Sequence, residues 1–122
     1  MPKYRIEIHT GSRSPGSFAS TDANVYLTLL GTRATSDELV LESAGTRFGQ
    51  DSLDEFTHQL ADLGDITRIR VRHDNCGLGP GWFLEAITIR HEDTAQRWDF
   101  PCHRWLARHE DDGEIERTLD AA

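Results

Sequence analysis

Apolar and polar residues alternate with a period of two over most of this chain, the signature of strands with one buried face. Tyr4, Ile6 and Ile8 alternate with Arg5, Glu7 and His9, predicting a first strand. Val25, Leu27 and Leu29 mark a second that ends at Gly31, and Leu39 with Leu41 a short third. Phe56 and His58 lie in a fourth, with Leu60 to Gly64 as its exit. Ser52 to Leu63 also fits a helix, but its alternation favours the strand. In the fifth strand Ile69, Val71 and His73 share one face, while Arg68, Arg70 and Arg72 share the other. Trp98 and Phe100 predict a seventh strand ending at Pro101, and Ile115 with Leu119 a last one beyond the acidic turn Glu110 to Gly113.

The stretch His73 to Ile89 organises the rest. It opens on a polar cluster, passes through Gly77, Gly79, Pro80 and Gly81, and becomes an apolar sixth strand. These residues shape a loop, because glycine permits positive φ and proline fixes its own. Trp82 and Leu84 share one parity and Ile87 and Ile89 the other, so a β-bulge is expected near Glu85 and Ala86. With turn signals at short intervals and no repeats or linkers, the chain reads as one domain over residues 3–120. Its expected class is all-β, an eight-stranded antiparallel β-sandwich.

Composition narrows the function. The 122 residues carry a formal charge of −8, which opposes a nucleic-acid partner and purely electrostatic adhesion to anionic lipid. Hydrophobic residues make up 37%, and no apolar run approaches the ~20 residues of a membrane span. The N-terminus starts a strand almost at once without a signal-peptide core, which points to a cytoplasmic chain unless it was cut from a larger secreted one. Cys76 and Cys102 fit neither a zinc ribbon nor a redox motif. Both are read as reduced thiols, with a bridge between them left open.

Catalysis finds little support. The six histidines show no zinc-helix spacing, and no nucleophile elbow is present. Cys76 or Cys102 with His73 or His103 is the only nucleophile and base to consider. Adjacent Cys102 and His103 should face opposite ways, and His73 reads better as a hydrogen-bonded residue at the core edge. For a metal, Thr21, Asp22 and Asn24 in one loop and Asp74 with Asn75 in another offer oxygens suited to Ca²⁺. The plainer reading makes Asp22 and Asp74 turn residues bonded to their own backbone. Phe18 in a Ser/Gly/Pro loop, Leu78 between glycines and Trp105 after Pro101 are candidate surface contacts, unless they fold back to plug an end of the sandwich. The row Arg68, Arg70, Arg72 is a solvated face or a site for an acidic partner.

These segments together resemble the PLAT domain, also called LH2. The resemblance spans nearly the whole chain. It rests on Tyr4 to Gly11, Ser20 to Gly31, Phe48-Gly49 with Asp54 and Phe56, Leu63 to Ile66, His73 to Asn75 with Gly81 to Leu84, and Phe100 to Leu106. It implies a noncatalytic module that brings its owner to a membrane, a lipid substrate or a protein partner. It also implies Ca²⁺ as the one cofactor to consider, with Ser20 and Thr21 offering backbone oxygens, Asp22 a carboxylate, and further ligands around Asp74 to Gly81. Gly81 replaces an acidic ligand, and Ser43 to Thr46 lack the Asp or Asn of a second site, so at most one weak site is implied. Phe18, Leu78 and Trp105 match positions where such domains insert apolar side chains into a lipid surface. The alternative is a protein–protein adaptor using the arginine face or an edge strand.

Overall fold

Eight strands among the described residues account for the alternation: β1 Lys3–Thr10, β2 Val25–Gly31, β3 Leu39–Leu41, β4 Leu53–Gln59, β5 Ile66–His73, β6 Trp82–His91, β7 Arg97–Leu106 and β8 Glu116–Asp120. The computed structural model describes residues 2–11, 24–41, 53–74, 82–108 and 111–122. The strands form two four-stranded antiparallel sheets, ordered β4-β1-β6-β7 and β3-β2-β5-β8. The predicted sandwich is therefore the observed fold, and the strand reading of 52–63 holds over Leu53–Gln59.

The core lies between the inner faces. Ile6 and Ile8 of β1, Leu27 and Leu29 of β2, and Ile69 and Val71 of β5 are all fully buried. Each such side chain contributes about 1.5–3 kcal/mol on leaving water. Tyr4 joins them because its hydroxyl accepts the Leu63 amide at 3.1 Å, so no buried polar atom is stranded there.

The expected bulge is present. On the β1 side, His9 pairs with Ala86 and Thr10 with Leu84, which leaves Glu85 as the extra residue. On the β7 side, Leu84 pairs with Arg104 and Ala86 with Pro101, so Cys102 and His103 oppose Glu85 alone. His103 takes the left-handed conformation at φ 54°, which helps absorb that extra residue. This double offset lets Trp82, Leu84, Ile87 and Ile89 all point inward despite their opposite parities.

Two boundaries differ from the sequence expectation. β7 does not stop at Pro101 but runs on to Leu106. It is an edge strand, where a residue without an amide hydrogen can be tolerated. Trp105 therefore belongs to a strand and not to a loop after one. At the far end, Ile115 precedes β8, and the inward positions of that strand are Arg117 and Leu119. A buried arginine broke the apolar alternation that would have marked the start.

Candidate functional site

One end of the sandwich collects the C-termini of β1, β3, β5 and β7 and the N-termini of β2, β4, β6 and β8. The sequence-predicted residues Phe18, Ser20, Thr21, Asp22, Cys76 and Leu78 lie outside the described residues. The strand ends themselves are tied together by a set of polar contacts.

Asn24 and Asp74 form its centre. The Asn24 backbone amide donates to Asp74 Oδ1 at 3.1 Å, and its side-chain Nδ2 donates to Oδ2 at 2.7 Å. The Asp74 amide returns a bond to the Asn24 carbonyl at 3.2 Å. Asp74 thus reaches across to the entry of β2. Beside them, fully buried Trp82 donates its indole N–H to Thr10 Oγ1 at 2.9 Å, and Gly11 N donates to the Phe83 carbonyl at 3.0 Å. These contacts pin the end of β1 to the start of β6.

His73 closes the floor. Its Nε2 donates to the Leu106 carbonyl at 2.6 Å and the residue is 1% exposed. A carbonyl only accepts, so the proton sits on Nε2, and burial pushes the imidazole below its ordinary range. The reading of His73 as a hydrogen-bonded residue at the core edge holds, and its ring is a neutral donor to structure. Cys102 is a free thiol packed against the core, and burial pushes it above its ordinary range, which disfavours the reactive thiolate. His103, exposed on the opposite side, contacts Glu85.

Trp105 sits on the outer side of this end. Its ring meets Phe83 edge to face, with centroids 5.5 Å apart and planes at 70°. Phe83 is nearly buried and Trp105 half-buried, so the pair forms an aromatic shoulder at this end. Arg117 locks the shoulder's backbone: its Nη2 and Nε donate to the Trp105 carbonyl at 2.7 and 3.1 Å. The same guanidinium grips Asp112 at 2.8 Å, while Arg104 holds Asp111 at 2.9 Å and Asp112 at 3.1 Å. These arginines drive both carboxyls below their usual range, Asp112 to about 2. The acidic turn is the anchor of β7 to β8.

The arginine row occupies the outer face of the second sheet, as its parity predicted. Arg68 pairs with Asp120 at 3.0 Å. Arg72 makes a two-pronged contact with Glu38, at 2.8 and 2.7 Å, with its guanidinium 4.1 Å from the centre of the Tyr26 ring. Arg70 forms no ion pair among the described residues. Sequence gave no hint of Glu38, which lies 34 positions from its partner. At the opposite end of the sandwich, Thr32, Arg33, Asp62, Asp65, His91 and Gln96 line a polar cleft of about 280 Å³. Its walls bond largely to one another, as Arg33 does to Asp62 and Gln96 to Asp65.

Two sheets, this strand order and this framed end can be set beside known proteins. The PLAT/LH2 domain model matches residues 4–120. The chain belongs to that family. Lipoxygenase homology domain-containing protein 1 of Mus musculus is 40% identical over 119 residues, which is 95% of this chain and 6% of that protein. The polycystin family receptor for egg jelly of Mus musculus is 39% identical over 97% of this chain and 5% of its own length. The chain thus spans a small fraction of the relatives it matches. Among solved structures, coral 8R-lipoxygenase, described as calcium-activated through a C2-like domain, is 28% identical. The match covers 98% of this chain and 17% of that one, with a TM-score of 0.82. A lipoxygenase in complex with arachidonate gives 27% identity and a TM-score of 0.83, over 100% of this chain and 17% of that one.

For calcium, the described residues supply part of a site at most. Both Asp74 oxygens accept hydrogen bonds from Asn24, and no group of three or more His, Cys, Asp or Glu is placed to hold a metal among the described residues. Among the same residues, no helix is long and apolar enough to cross a membrane.

Proposed function

We propose that this PLAT/LH2 domain is a noncatalytic module that meets a lipid or membrane surface with the end framed by Asn24, Asp74 and Trp105. The observation that carries this reading is the Phe83–Trp105 shoulder, in which nearly buried Phe83 backs a half-buried Trp105 at this end of the sandwich. Trp favours the water–lipid boundary, where its ring is buried and its N–H stays wet. Ser20, Thr21 and Asp22 would hold a calcium ion with Asp74, and the cation would offset carboxylate charge facing an anionic surface. The calcium-activated coral lipoxygenase supports that assistance by likeness. Three apolar side chains at about 1.5–3 kcal/mol each give reversible attachment only.

The test is cosedimentation with phosphatidylcholine/phosphatidylserine vesicles, with and without Ca²⁺. Binding should weaken about ten-fold or more in Trp105→Ala, the equivalent of one buried aromatic side chain. Failure to sediment under either condition would remove the reading. A second reading, a protein–protein adaptor, is favoured by Arg70, which is exposed and without an ion pair among the described residues while its neighbours in the row are both paired.

A further inference from the structure

The contact between Arg72 and Glu38 crosses an intervening strand. In the order β3-β2-β5, Glu38 stands just before β3 and Arg72 on β5, so their paired hydrogen bonds pass over β2 and the face of Tyr26. Thr28 lies in the path. Register places it opposite Arg70 on one side. Extending the Leu27↔Leu39 pairing by one residue places Glu38 on the other. Leu27 and Leu29 face the core, so Thr28 faces outward, yet it is only 3% exposed. Its Oγ1 is the one buried side-chain polar atom without a hydrogen-bond partner among the described residues. Buried polar groups are ordinarily paired, and a hydroxyl left without a partner is one a ligand can satisfy. Next to it stands Arg70, the member of the row that forms no ion pair among the described residues.

We propose that Glu38 is an internal stand-in for a carboxylate of an acidic protein segment, which binds Arg70 and Arg72 when Glu38 swings aside and takes the Thr28 hydroxyl as a third donor. Planar guanidinium groups suit a carboxylate in two-pronged geometry. Val40, 43% exposed and paired across the ladder with Tyr26, gives such a segment an apolar foothold. A protein carboxylate fits this face better than a membrane does. Glu38, Glu116 and Asp120 already sit among the three arginines, so the face presents no net positive field to an extended anionic surface. A single well-aimed carboxylate needs only the local guanidinium groups. The proposal rests on the adaptor reading and is independent of the lipid-facing end.

Anisotropy titration of fluorescein-labelled octaglutamate against the 122-residue chain tests it. Glu38→Gln should tighten binding about five-fold or more, in the range of ordinary coupling between sites. Adding Arg70→Gln to Glu38→Gln should return affinity to or below that of the unaltered chain, and adding Thr28→Val should remove about half or more of the gain. The gain should fade with salt. Octaglutamate that binds equally well with and without Glu38→Gln would overturn the stand-in while leaving an acidic-partner adaptor standing. Absence of binding to both would overturn the two together. A Glu38→Gln gain seen only with phosphatidylserine vesicles and not with octaglutamate would overturn the choice of partner.

Discussion

Asn24 and Asp74, 50 positions apart, hold each other by three hydrogen bonds and thereby join the entry of β2 to the exit of β5. Hydrogen bonds to a carboxylate are worth roughly twice those between neutral groups, with exposure reducing the value. Asp74→Ala should lower stability by about 1–2 kcal/mol in urea unfolding. Asn24→Ala should cost a similar amount, and the double variant less than the sum, because the two residues share the same bonds.

His73 gives the stability curve a direction. Burial holds its folded-state affinity for protons below the ordinary 6.5. The unfolded chain therefore takes up the proton first, and protonation favours unfolding. The contribution is complete above about pH 6.5 and declines as pH falls from there toward the lower folded value. His58 is shifted the same way by burial and adds to the slope. His73→Gln should flatten the decline below about pH 6.5, leaving the His58 share, and should be less stable than the unaltered chain at pH 8. An unchanged slope in chemical denaturation would mean that His73 does not titrate in this way.

The Arg117 cluster acts at lower pH. Asp112 falls from its ordinary 3.8 to about 2, chiefly through the Arg117 hydrogen bond. A folded value below the unfolded one gives stability that is full above about pH 4 and is lost as pH drops toward 2. Asp112→Asn should flatten the acid-unfolding curve in that window. At neutral pH, Asp112→Ala should be more damaging than Arg117→Met, because it leaves a nearly buried guanidinium short of a partner. Thermal melts of the two variants at pH 7 give the ranking.

Gly31 is fixed by a close approach. A Cβ there would stand 2.1 Å from the Leu63 carbonyl oxygen, and backbone cannot give way as a flexible side-chain tip can. Gly31→Ala should cost about 3 kcal/mol or more and lower the melting temperature by about ten degrees. Gly113→Ala, at φ 79° with its nearest neighbour 3.4 Å away, should cost only about 1 kcal/mol, the strain of the left-handed conformation.

Much of this architecture can be read along the chain because period-two alternation is a local signal. The parity break between Leu84 and Ile87 even located the bulge. Three things could not be read this way. Pro101 gave a stop signal that an edge strand overrides, and Arg117 gave a polar signal at an inward position. The pairs Asn24–Asp74 and Arg72–Glu38 depend on which strands become neighbours, and alternation within a strand carries nothing about that. The arginine row was legible as a face, but the carboxylates that neutralise two of its members were not. Of the residues expected to meet lipid, Trp105 lies in the frame, while Phe18 and Leu78 fall outside the described residues, as do Ser20, Thr21 and Asp22 of the expected calcium site.

Glu85 has no counterpart of its own in the ladder toward β1. Excising that single residue would put Leu84 and Ile87 on one parity, so Trp82, Leu84, Ile87 and Ile89 would all still face inward along a plain ladder. What would go is the local bend of β6 and the contact of Glu85 with His103. The added residue therefore shapes the outer side of the sheet, while the inner wall would stand without it.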